Sequence, residues 1–324
     1  MTANKILKSL TPERSKKELA EIQAVELPAD LQKWVKEYEK VGDRDKFIAK
    51  WMYKGDLIIA KAFAIDSFYS SSFIKNIFLL HIFTNLIDDI SEKINKKDLL
   101  YKLLNIPFGE KNISSLNIND KKYFLFSKKV LDEIKKELRL YKNYNKFEEL
   151  FFFDLMQIIN TTRYTAFTQK NKHLLNSAEY WQYSPNNMQI MVVFDIYLMV
   201  YDIEEKKQTG ILREFFSYAQ NLLRIGNDLG TWEREMHNND FNNFISVFAY
   251  TSNQNFLEEN EQNKTKIIEQ DSIQNHIKER LKYSREKMKS IINTHREISK
   301  PSMPAILNAI EKINDMHLIG RGRI

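Results

Sequence analysis

The sequence predicts an all-α protein built as one helical bundle, and three observations carry that reading. Its 324 residues include only 8 glycines and 6 prolines, too few turn-formers for a chain of many short strands. Long stretches repeat apolar residues at three- and four-residue spacing, the period of a helix with a buried face. Hydrophobic residues make up 43% and aromatic residues 12%, enough for a sizeable core and incompatible with disorder of the whole.

Residues 1–40 read as a polar lead-in with helices at about 12–22 and 29–40, the second a strap or lid, and 41–324 as the main domain. Residues 43–66 are periodic, with Phe47, Trp51 and Ile58 at apolar positions and a break expected at Gly55. The run 68–92 is the first long buried helix, and His81, Thr84 and Asn85 precede its acidic end on much the same face. A polar, Asn- and Lys-rich link at 93–120 holds a short apolar piece at 99–104. Residues 121–146 form a mixed-charge amphipathic helix with a solvated outer face.

The next run, FEELFFFDLMQIINTTRYTAFTQ, is a core helix in which Phe151, Phe152 and Phe153 are read as packing residues. Within 177–201, Pro185 breaks the helix beside Asn186 and Asn187. Residues 220–243 are helical, 252–273 a polar, acidic loop, and 274–298 and 304–318 the closing helices.

Composition removes several chemistries. With no cysteine there are no disulfides, thiolate metal sites or cysteine nucleophiles. Six scattered histidines without an HxxxH pair argue against a histidine-built zinc centre. No stretch reaches 18 uncharged apolar residues and the charged N-terminal residues hold no apolar core of signal-peptide length, so a cytoplasmic protein without stable membrane insertion is expected. The net charge of +6 is spread among 49 basic and 43 acidic residues; no nucleic-acid partner is expected, and a basic surface suits polyanions such as diphosphates.

Two clusters carry chemistry. On a helix, Asn227, Thr231 and Glu235 stand at successive four-residue steps, so an amide, a hydroxyl and a carboxylate project from one face as an oxygen site for a hard divalent cation. Asp88, Asp89 and Glu92 converge at the end of the 68–92 helix, where their mutual repulsion falls if a cation sits among them. Taken singly, each cluster also reads as an exposed helix face or a helix terminus.

Together, Asp88-Asp89-Ile90-Ser91-Glu92 and Asn227-Asp228-Leu229-Gly230-Thr231-Trp232-Glu233-Arg234-Glu235 resemble the DDxx(D/E) and (N/D)Dxx(S/T)xxxE motifs of microbial class I terpene synthases. The resemblance runs from about residue 50 to about 250. It implies a class I terpenoid synthase bundle around a central apolar cavity, a prenyl diphosphate as the small-molecule substrate, and Mg²⁺, three ions in number, with Mn²⁺ as a substitute. Asp88, Asp89 and Glu92 would ligate metal from one wall, and Asn227, Thr231 and Glu235 from the other. Asp88, Asn227, Arg234 and Glu235 would be the catalytic set, with Arg234 touching the diphosphate.

The chain departs from the family in two places. Ser184 aligns where many bacterial members carry a diphosphate-sensing arginine, near Trp181, which leaves Arg163 or Arg224 for that role. No Arg-Tyr pair closes the chain, and Arg321 or Arg323 is only a loose substitute. The altered sensor region favours a C20 geranylgeranyl or related diterpenyl diphosphate over C15 farnesyl diphosphate. The alternatives are a non-catalytic scaffold of the same fold and a chain-elongating prenyltransferase, which would need a second DDxxD. A monomer or homodimer is expected.

Overall fold

The computed structural model describes residues 11–91, 93–201, 203 and 206–320, and among these it is all-α, with no strand. In chain order the helices are α1 (Pro12–Ala24), α2 (Ala29–Tyr38), α3 (Lys46–Ala62), α4 (Ser67–Ser91), α5 (Lys97–Asn105), α6 (Ile118–Leu138) and α7 (Tyr144–Lys170). There follow α8 (Ser177–Tyr183), α9 (Ile190–Val200), α10 (Lys206–His237), α11 (Phe244–Ser252), α12 (Glu261–Ile268), α13 (Asp271–Thr294) and α14 (Met303–Ile319). They group into two compact units: the described residues of Ile22–Ala166 with Met191–Glu205, and those of Met1–Glu21, Phe167–Ile190 and Lys206–Ile324.

In the first unit α4 is packed by α3 and α6. Its sequence offers no continuous polar face, and Phe73, Ile77, Phe78, Leu79, Leu80 and Phe83 are accordingly buried. Lys75 reaches from α4 to Glu133 and Glu137 of α6 at 2.7 and 2.9 Å. α3 starts where the Asp45 carboxylate accepts the backbone N–H of Phe47 at 2.7 Å. It runs straight through Gly55, where a break was expected, and the chain turns instead at Ala64, whose φ is +51°. Apart from buried Asp195, α9 is apolar, which suits its burial from Val192 to Val200, and Tyr197 lies against Phe63 with ring centroids 5.1 Å apart.

The second unit is organised on α10, a 32-residue helix packed by α11, α13, α14 and the 3₁₀ turn Ser184–Met188. That turn is the break expected at Pro185, and Gln189 at φ +64° completes it.

Three further expectations are corrected. The stretch read as a loop at 252–273 contains the turn Phe256–Glu258 and α12, which Asn260 caps through the N–H of Asn263 at 2.9 Å. The amphipathic helix read over 121–146 ends at Leu138, and the chain turns before α7. Phe153 is 58% exposed although Phe151 is buried, because two positions on along a helix is a rotation of about 200°.

Candidate functional site

α10 presents the three oxygen donors as the spacing predicts. Asn227 is half-buried, Thr231 is buried, and the Glu235 side chain is 17% exposed. The Thr231 hydroxyl donates to the carbonyl of Asn227 at 3.0 Å and lies beside the Glu235 carboxyl. Burial, then the nearby Asp240 and Asp228 carboxylates, push the Glu235 carboxyl up to about 7. Asn243, at the start of α11, donates through Nδ2 to Glu235 Oε2 at 2.8 Å and fixes its direction.

Behind this row lies a water-excluded network. Asp228, fully buried, accepts the hydroxyl proton of Tyr180 and the N–H of Phe244 at 2.8 Å. Arg224, one turn earlier, lies 2.9 Å from Asp228 Oδ1. The same guanidinium donates to the Tyr180 hydroxyl at 2.8 Å, to the Asn242 carbonyl at 3.0 Å and to Asn227 Oδ1 at 3.4 Å. Burial opposes the charge on Arg224 most, yet Asp228, Tyr180 and Glu235 together raise it above the usual guanidinium range. Burial likewise drives the Tyr180 phenol well above its ordinary range. The charged groups are therefore paired where an unpaired charge would be untenable.

α14 closes on α10 across two glycines. An added Cβ at Gly226 would meet Asn314 Oδ1 at 2.2 Å, and one at Gly230 the backbone carbonyl of His317 at 2.6 Å, so only hydrogen fits at either place. The close approach puts His317 Nδ1 3.4 Å from Asn227 Nδ2. Burial, and then Arg224, lower the His317 imidazole to about 3, so it is neutral and accepts from the amide. The Asn227 oxygen is thereby turned the other way, toward Arg224.

In the first unit the end of α4 carries the second cluster. Asp88 is half-buried. Asp89 accepts from Tyr38 Oη and Arg44 Nε, both at 2.8 Å, so each of its oxygens already has a protein partner. Glu92 lies outside the described residues, as do Arg321 and Arg323. His81, Thr84 and Asn85 are satisfied locally: His81 pairs with buried Asp56 at 3.0 Å, Thr84 bonds carbonyls of its own helix, and the Asn85 amide meets Met52 Sδ at 3.2 Å.

The arginines separate by environment. Arg224 is buried among protein partners. Arg234 is 45% exposed, 3.8 Å from Glu235 Oε1, and Arg163 is exposed on α7. Ser184 is 2% exposed. Tyr180, Asp228, Asn243 and His317 were not singled out from sequence. Arg224 and Asp228 did carry a signal, an ion pair one turn apart on a helix, whereas nothing local pointed to His317.

The donor set suits a hard cation. Asn227, Thr231 and Glu235 share one face of α10 and carry amide, hydroxyl and carboxylate oxygens, the amide oxygen accepting from Arg224, and burial with neighbouring carboxylates makes the Glu235 anion costly until positive charge arrives. Among the described residues no three His, Asp or Glu side chains gather at one point, so any such site draws on amide and hydroxyl donors. A family model described as terpene synthase family 2, C-terminal metal binding, matches residues 80–261, more than half of the chain, and spans both clusters. No curated protein matches the chain. The fold, the oxygen row on α10 and this match agree: the chain belongs to the class I terpene synthases, in terpene synthase family 2.

Proposed function

We propose that the protein is a terpene cyclase that ionises an allylic prenyl diphosphate and closes the carbocation to a hydrocarbon or alcohol, releasing diphosphate. The observation that carries this reading is the row Asn227, Thr231 and Glu235, held by Asn243, Arg224 and His317 as a preorganised oxygen face. When bound, divalent cations, in this reading three Mg²⁺ with Mn²⁺ as a substitute, neutralise the charge that develops on the departing diphosphate.

The chain's own residues do the rest. Asn227, Thr231 and Glu235 form one ligand set, and Asp88, Asp89 and Glu92 the other, with Asp88 leading because Tyr38 and Arg44 already hold Asp89. Arg234 meets the diphosphate, and Arg163 is the second exposed cation assigned to it. We assign Arg224 a positioning role: it orients Asn227 and neutralises Asp228. Aromatic side chains stabilise positive charge and exclude water while the carbocation lives.

The C20 diphosphate is favoured over C15 because Ser184 replaces the arginine of the common bacterial sesquiterpene pattern. The test is incubation with Mg²⁺ and geranylgeranyl, farnesyl or geranyl diphosphate, with organic products read by mass spectrometry. A cyclic C20 product supports the reading, and a longer diphosphate in the presence of isopentenyl diphosphate replaces it with chain elongation. No product from any of the three removes it in favour of a scaffold.

A further inference from the structure

The positive charge of this protein is concentrated. Residues 93–146 hold 14 lysines and arginines against 6 aspartates and glutamates, a net +8, whereas the whole chain carries +6. The other 270 residues are therefore slightly acidic. This segment comprises α5, α6 and their connections, all within one unit, and none of it supplies a residue to the proposed catalytic set.

The same segment exposes large apolar side chains. Ile118 is 71% exposed, Leu125 52% and Leu140 74%, and Tyr101 and Phe108 are also open to solvent. On α6 the outward positions Ile118, Lys122, Leu125, Lys129, Asp132 and Lys136 alternate four and three residues apart, so they form one stripe along the helix. The opposite face, with Phe124, Leu131 and Ile134, is buried. Lys129 is shared with Glu37 at 2.6 Å, Asp132 is paired with Lys128, and Lys136 stands 3.4 Å from Glu133; Lys122 and Arg139 keep the stripe basic beyond those pairs.

We propose that the outer face of α6 is a docking surface for an anionic lipid bilayer. Lysines and arginines gain from the negative surface potential of such a leaflet, and aliphatic side chains between them gain by entering its headgroup boundary. A nucleic acid would satisfy the charge but offer nothing to Ile118, Leu125 or Leu140, which is why lipid is preferred. Binding of this kind needs no spanning segment, and no described helix is long and apolar enough to cross a membrane. The inference is independent of the metal ligands.

Flotation of the purified full chain with vesicles tests it, comparing phosphatidylcholine alone with phosphatidylcholine and phosphatidylglycerol at low and high salt. The expected result is recovery with the anionic vesicles only, diminishing with salt. Lys122→Glu should weaken binding roughly 25-fold, since charge reversal counts as two charges at roughly fivefold each. Leu125→Ser should weaken it as well, while Lys289→Glu on α13 leaves it unchanged, with helical content checked in each variant. Absence of binding, equal binding to both vesicle types, an equal loss with Lys289→Glu, or retention on duplex DNA with none on vesicles would each overturn the proposal.

Discussion

Asn243 Nδ2 donates to Glu235 Oε2 at 2.8 Å while also donating to the main-chain carbonyl of Asp228 at 3.1 Å. One amide thus ties the start of α11 to the last oxygen donor of α10, and its own oxygen caps α11 through the N–H of Ile245 at 2.9 Å. The residue that caps α11 fixes where the carboxylate points.

Replacing Asn243 by alanine removes the cap and takes the amide donor from the Glu235 carboxyl. A loss of about 1–3 kcal/mol is expected. Chemical denaturation of Asn243→Ala beside the parent measures it, and equal midpoints would show that the amide is not holding this junction.

The Tyr180 hydroxyl serves Asp228 and Arg224 together, and Tyr180→Phe keeps the ring while removing that link. The expected cost is about 1–3 kcal/mol. Asp228→Ala, which strands a buried guanidinium, should cost about 3–5 kcal/mol. Thermal melts of the two variants should fall in that order; the reverse order would mean that the ion pair is not what stabilises this region.

Two glycines should respond in opposite directions. Gly230→Ala drives a methyl into the backbone carbonyl of His317 and should destabilise by about 1–3 kcal/mol as α14 is displaced. Gly55→Ala meets nothing within 4 Å inside a regular helix and should stabilise by up to about 1 kcal/mol. Denaturant midpoints of both variants decide the matter.

These contrasts show what could be read from the sequence. Helical period alone placed Asn227, Thr231 and Glu235 on one face, since the spacing of a helix fixes its faces before any tertiary contact forms. The partner of Asp228 could not be read that way, because Tyr180 lies 48 residues upstream and meets it only through packing. Gly55 was overrated as a breaker: its intrinsic penalty of about 1 kcal/mol is small beside the packing of α3 on α4. In the Phe151–Phe153 run, side-chain chemistry is uniform and rotation about the helix decides which ring faces out. The polar composition of 252–273 hid α12, whose start depends on one asparagine cap.

Asp56 gives a pH dependence of stability with a definite sign. It is buried, and burial raises its carboxyl above the ordinary 3.8, opposed by His81. Below that ordinary value it is protonated in both folded and unfolded chains. As the pH rises, the unfolded chain ionises it first, so its contribution to stability falls. Asp56→Asn should therefore be more stable than the parent at pH 7, with the difference shrinking toward pH 3. Parallel melts across that range check it; a constant difference would show that titration of Asp56 is not responsible.

The central proposal is that the Asn227–Thr231–Glu235 row and Asp88 with its neighbours are each ligand sets for divalent cations. Crystals grown with Mn²⁺ and inorganic diphosphate, examined by anomalous scattering at the manganese edge, test this most directly. The account predicts manganese on Asn227, Thr231 and Glu235 and on Asp88, with diphosphate oxygens bound to manganese. Manganese and diphosphate held away from either set would contradict it.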